Sequence, residues 1–153
     1  MLVHQEIPPN TGSIARLCAA TETRLHLVRP LGFSLEDRYL KRAGLDYWPV
    51  VDLIIHDGWN DFLAAEHDAT LLFFSARARK SYLVAPYAAV ASLYLVFGGE
   101  TKGLPEEILR AHEASTYRIP IFNRQVRSLN LANAVSIVVY EALRQRGLLP
   151  LDH

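Results

Sequence analysis

Apolar positions along the chain fall into two periods, short unbroken runs and helical stripes, and the two alternate. Leu25-His26-Leu27-Val28, Val51-Asp52-Leu53-Ile54-Ile55, Thr70-Leu71-Leu72-Phe73-Phe74 and Leu93-Tyr94-Leu95-Val96-Phe97 are runs of four or five residues, the length of buried strands. Ser115–Ile119 reads as a weaker strand, and Leu2-Val3 as the clipped start of another. Helical windows lie between them at Gly12–Ala20, Leu35–Ala43, Trp59–Glu66 and Pro105–Ala111. The longest, Asn130–Arg146, should stop at Gly147, with Pro150 beyond.

Strands alternating with helices imply an α/β fold: a mostly parallel sheet with helices on both faces. Such sheets bind ligands beyond the carboxyl ends of their strands. That rule points to the loops after Phe74, Phe97 and Ile119. The 153 residues show no internal repeat and no linker rich in Gly, Ser or Pro, so residues 1–153 are expected to form one domain. In the final helix Leu131, Ala134, Val135, Val138 and Ala142 form one stripe, yet Ile137, Val139, Tyr140 and Leu143 are apolar too. A helix apolar on more than one face is either sunk in its own core or shared with a second subunit.

Composition narrows the class. Half the residues are apolar and 21% charged, as in ordinary globular proteins. No apolar stretch is long enough for a bilayer, and Met1–Glu6 lacks the pattern of a signal peptide. A single cysteine, Cys18, excludes an internal disulfide and fits a reducing compartment, so a cytoplasmic location is expected. Cys18 lies within the first helix's apolar stripe and reads as a core residue. Sixteen basic and sixteen acidic residues cancel. Any RNA binding must then come from local clusters such as Arg38, Lys41 and Arg42, or Arg77, Arg79 and Lys80, which otherwise are solvated surface charge.

Three segments could carry chemistry. Phe97-Gly98-Gly99-Glu100-Thr101-Lys102-Gly103-Leu104-Pro105 is a strand end, a glycine-rich loop and a helix start. Glu100 takes the place of a fingerprint glycine and would repel a pyrophosphate, which disfavours a nicotinamide oxidoreductase. Leu104 and Pro105 replace the Lys and Ser or Thr of a P-loop. The loop suits a nucleoside-like ligand without phosphates, or is a structural turn. Near the start, Asn10 or Thr11 could cap the first helix, whose Arg16 faces away from the apolar stripe Ile14, Leu17 and Cys18. Arg16 is either solvated or directed at phosphate. Ser128 and Asn130 stand at the mouth of the last helix, as caps or as groups facing a polar ligand. The six histidines form no HExxH or Cys-paired zinc pattern, and most read as surface or loop residues.

In this order, these segments resemble the three motifs of the SPOUT superfamily of RNA 2′-O-methyltransferases. Glu-Ile-Pro-Pro-Asn-Thr-Gly from Glu6, Arg-Leu-Cys-Ala at 16–19 and Ala-Gly-Leu-Asp-Tyr at 43–47 carry the likeness. So do Phe-Gly-Gly-Glu-Thr-Lys-Gly-Leu-Pro from Phe97 and Arg-Ser-Leu-Asn-Leu-Ala-Asn-Ala-Val from Arg127, continuing into Val139-Tyr140-Glu141-Ala142. The likeness spans nearly the whole chain and looks strongest to the TrmL/YibK-like branch, which methylates the wobble cytidine or modified uridine of tRNA leucine isoacceptors. It implies a deep C-terminal trefoil knot, which periodicity alone could not suggest. It also implies S-adenosylmethionine as donor, with S-adenosylhomocysteine as product and no metal. The implied donor site is Ser75, Gly98, Ile119 and Ser128. The implied catalytic set is Arg16, Asn10, Ser128, Asn130 and Glu100. A homodimer packed through the first and last helices is implied, with tRNA as partner and neither DNA nor membrane. An arginine rarely gives up its proton, so Arg16 is expected to position hydroxyl and phosphate rather than act as base. Val3-His4-Gln5 departs from the family's usual Tyr-Glu-Pro, Gly99 replaces a frequent Pro, and Ala76–Lys80 departs from Thr-Lys-Gly. The alternative from another class is a dimeric RNA- or nucleotide-binding protein that keeps the fold without catalysis.

Overall fold

The computed structural model describes residues 1–36 and 47–150. Its strands are β1 (Leu2–Val3), β2 (Leu25–Val28), β3 (Leu53–His56), β4 (Thr70–Phe74), β5 (Lys80–Ser81), β6 (Leu93–Phe97) and β7 (Thr116–Arg118). The helices are α1 (Pro8–Ala20), α2 (Trp59–Ala65), α3 (Glu106–Ala111) and α4 (Leu131–Gln145), with short 3₁₀ turns between. The strands form one sheet in the order β3-β2-β1-β6-β4-β7-β5, and every pairing is parallel. The expected α/β class is borne out. The helix expected over Leu35–Ala43 lies almost wholly outside the described residues, as do Arg38, Lys41 and Arg42.

Strand side chains alternate between the two faces, and each face has its own core. Leu2, Leu25, Leu27, Leu72, Phe74 and Phe97 pack with Ile14, Ala15 and Cys18 of α1 and with Val135, Val138, Val139 and Ala142 of α4. Val3, Val28, Phe73 and Val96 meet Phe62 of α2 and Ile108 of α3 on the other. Cys18 is therefore a core residue, as expected. On α4, Val139 joins its own core, while Ile137 and Tyr140 stay exposed.

One sequence expectation needs correcting. Helix α1 begins at Pro8, with Ile7 at its N-cap and no side-chain cap of its own, rather than at Asn10 or Thr11. Pro8 and Pro9 are tolerated because the first turn's N–H groups have no intrahelical acceptor. Most of the described histidines lie at the surface or in loops, as expected, but His26 and His56 are buried. They face each other across β2 and β3, Nδ1 to Nε2 at 2.9 Å, beneath Phe62.

Candidate functional site

The loops after β4, β6 and β7 meet around one cavity of about 560 Å³ at the carboxyl ends of the sheet. Ser75 and Arg77 line it from the first loop, Gly98 to Leu104 from the second, and Ile119 and Ile121 from the third. Ser128, Leu129 and Asn130 close it in front of α4, and Ile7 and Asn10 close it from α1. The four residues expected to hold a donor, Ser75, Gly98, Ile119 and Ser128, all line this cavity.

The glycine loop is tightly folded. Gly103 donates to the Gly99 carbonyl at 2.9 Å. A Cβ on Gly98 would lie 2.0 Å from the Gly103 carbonyl carbon and 2.1 Å from the Leu104 nitrogen. Only glycine allows the backbone to approach itself so closely. Gly103, at φ +69°, turns the chain into α3.

Three of the five expected catalytic residues form one hydrogen-bonded chain. The Glu100 carboxylate accepts from the backbone N–H of Glu6 at 2.9 Å and of Ile7 at 3.2 Å, and from the Asn10 side chain at 3.3 Å. It thus satisfies orphan donors at the start of α1 and places a negative charge at that helix's positive end. Asn10 Oδ1 accepts from Asn130 Nδ2 at 3.0 Å. Asn130 in turn caps α4, accepting from Asn133 N–H at 3.3 Å. The glycine loop and both helix starts are thereby tied together at one end of the cavity.

Ser128 is exposed at the rim, close to Asn130. Arg16 stands apart. It lies two turns along α1, does not line the cavity, and holds its guanidinium 4.9 Å over the ring of Tyr47. The ionisable lining residues are Glu100, which is committed to α1, and Arg77 and Lys102, which are cationic. Arg77 was read from the sequence only as part of a basic cluster. It forms an ion pair with Glu106 at 3.1 Å, which links the first loop to α3. Among the described residues no group of His, Cys, Asp or Glu could hold a metal ion.

Fold and cavity together define an α/β protein with a glycine-walled pocket at the carboxyl edge of a parallel sheet. The family model of the SpoU rRNA methylases matches residues 1–140, and the chain belongs to that family. It is 45% identical over 148 residues to the tRNA (cytidine(34)-2'-O)-methyltransferase of Burkholderia ambifaria, covering 96% of this chain and 94% of that one. A structure solved for insight into the 2-OH methylation of C/U34 on tRNA superposes with a TM-score of 0.87 at 50% identity, covering 94% of this chain and 92% of that one. An AdoMet-bound rRNA methyltransferase from Sinorhizobium meliloti superposes with a TM-score of 0.83 at 26% identity, covering 97% of this chain and 56% of that one.

Proposed function

We propose that this chain methylates the ribose 2′-hydroxyl of the wobble nucleotide, position 34, of tRNA, with S-adenosylmethionine as donor. Cytidine or a modified uridine is the acceptor, and leucine isoacceptors are the expected substrates. The reading rests on one observation: loops from three neighbouring strands close on a single cavity whose rim carries Asn10, Ser128 and Asn130. Two of the relatives described above, the Burkholderia ambifaria enzyme and the structure of C/U34 methylation, concern nucleotide 34 of tRNA.

The cavity suits the donor. Ile119, Ile121, Leu129 and Leu131 offer an apolar wall to adenine, and glycine at 98 lets the loop fold tightly enough to form the cavity floor. Arg77 and Lys102 offer cations to a carboxylate. Backbone groups of Ser75, Gly98, Ile119 and Ser128 would hold the adenosyl and methionine parts. When bound, S-adenosylmethionine supplies a methyl on a sulfonium and leaves as S-adenosylhomocysteine.

This chain's own residues then serve the acceptor. A ribose hydroxyl is a weak nucleophile until its proton is drawn away. Ser128 and the Asn10–Asn130 pair stand where they can hold that hydroxyl and its sugar, and Glu100 keeps Asn10 in place. Arg16 acts on the substrate phosphate and hydroxyl through charge-assisted bonds. Because it lies outside its own chain's cavity, it acts from a second copy, in a homodimer packed through α1 and α4. The exposed Ile137 and Tyr140 of α4 suit that interface. Exposed Arg77, Arg79, Arg118, Arg124 and Arg127 follow the same carboxyl edge and would meet the RNA backbone.

The C-terminal segment is read as a trefoil knot. After β4 the chain crosses β7 to form β5 at the sheet edge, then returns to β6 on the other side of β4. Helix α4 sits against that loop: Arg146 donates to the carbonyls of Tyr87 and Val90 at 3.0 and 2.9 Å, and Gln145 to that of Leu83 at 3.3 Å. Protein working on tRNA in the cytoplasm completes the proposal.

The decisive experiment incubates purified protein with labelled S-adenosylmethionine and unmodified tRNA, then maps the modified nucleotide. Label at the ribose of nucleotide 34 is expected. Donor binding without transfer would point instead to a non-catalytic RNA-binding protein of this fold.

A further inference from the structure

Gln5 has no solvent exposure, yet only one half of its amide is used. Its Nε2 donates to the Gly98 carbonyl at 3.0 Å and, more weakly, to that of Val3 at 3.5 Å. Its Oε1 is buried without a partner. Turning the amide over would set oxygen against oxygen at Gly98, so this orientation is the one that bonds. A buried acceptor left unpaired is costly, and an apolar side chain of the same length would avoid that cost. Packing therefore does not explain a glutamine here; the bond to Gly98 does.

Gly98 is the first residue of the glycine loop and lines the donor cavity. Peptide planes are rigid and trans, so a carbonyl drawn to Gln5 turns the Gly99 N–H on the opposite edge away from it. The backbone beneath is equally close: a Cβ on Gly99 would lie 2.6 Å from the His4 carbonyl oxygen. Residues 4–6 thus form a bed on which the loop rests. Gln5 is the side chain in that bed that holds a cavity-lining peptide.

We propose that Gln5 is a positioning residue for donor binding: it fixes the Gly98–Gly99 peptide and so sets the shape of the cavity floor. This rests on the reading of the cavity as the donor site. The test compares wild type with Gln5→Met, which keeps the length of the side chain and deletes the hydrogen bond. Calorimetry with S-adenosylhomocysteine, melting of the ligand-free protein and KM for tRNA are measured together. Gln5→Met is expected to weaken S-adenosylhomocysteine about five- to tenfold, the worth of one hydrogen bond. Its melting temperature should fall by only a few degrees, because loss of the unpaired Oε1 offsets the Gly98 carbonyl's loss of its donor, and KM for tRNA should stay unchanged. Faster amide exchange confined to residues 98–103 is also expected. Wild-type affinity in Gln5→Met overturns the role of Gln5 and leaves the donor site standing. A wild-type protein that does not bind S-adenosylhomocysteine takes down both. Gln5→Leu provides a second apolar filling if methionine fails to pack; the same contrast is expected, and affinity lost only in step with melting temperature in both variants overturns the proposal.

Discussion

Asn10 accepts a hydrogen bond from the side chain of Asn130, 3.0 Å away and 120 positions later in the chain. Asn10 also donates to Glu100, so one amide couples the starts of α1 and α4 to the glycine loop. The two ends of this chain of bonds differ in what they support. Glu100→Ala strips the acceptor from Glu6 and Ile7 N–H and should cost about 1–3 kcal/mol of stability. Asn10→Ala leaves those N–H bonds in place and should cost less, about 1 kcal/mol, while lowering methyl transfer at least tenfold. Thermal melts beside single-turnover rates separate the two. Equal melting losses in both variants would contradict this division.

Gly98→Ala tests the glycine loop directly. The new methyl would fall within 2.1 Å of backbone at Gly103 and Leu104, so the loop has to open. No flexible side chain can give way there. Affinity for S-adenosylhomocysteine should fall more than tenfold while far-ultraviolet circular dichroism stays native. Binding at wild-type strength would show that the loop does not form the donor floor.

Much of this arrangement is legible in the amino-acid order. Leu25–Val28, Thr70–Phe74 and Leu93–Phe97 are strands over the residues their apolar runs mark, because a strand buried on both faces leaves an unbroken run. The rule that ligands bind at strand carboxyl ends picked the three loops that line the cavity. The cap of α1 was not legible, since its acceptor is Glu100, more than ninety residues away. Strand β5 is two residues of edge pairing with no pattern to read. The same continuous run places His26 inside a buried strand, but its pairing with His56 depends on the register of β2 and β3, which no local pattern gives. Gln5 follows the two-residue strand β1, and nothing in its neighbours signals that its amide reaches Gly98.

The buried histidines give a pH dependence. Burial pushes His26 down to about 4 from the ordinary 6.5, with the Met1 amino group and His56 adding repulsion. Arg24 adds a little more, and Glu66 opposes it. Burial shifts His112, stacked on Phe73, in the same direction. A histidine whose folded value is depressed is held neutral by the fold. Its contribution is therefore intact above about pH 6.5 and is lost as pH falls toward 4, by a few kcal/mol at most. Melting temperature should drop steadily between pH 7 and pH 5. His26→Leu should flatten part of that drop, and a wild-type melting temperature constant from pH 7 to pH 4.5 would contradict the assignment.

Arg16 gives the sharpest test of how the site is assembled. Its guanidinium rests over Tyr47 and lies outside the cavity of its own chain. Arg16→Ala should abolish methyl transfer while leaving S-adenosylhomocysteine affinity within twofold of wild type. Loss of donor affinity instead would refute the separation of acceptor and donor groups. Mixing then asks which chain the arginine serves. Arg16→Ala keeps a sound cavity, and Gly98→Ala keeps a sound arginine. If Arg16 reaches the cavity of its mate, a mixed dimer holds one complete site and one that lacks both parts. Random exchange of equal amounts makes half the dimers mixed, so about one quarter of wild-type activity should return. If each arginine serves its own cavity, no pairing rebuilds a site, and the mixture stays as inactive as its components.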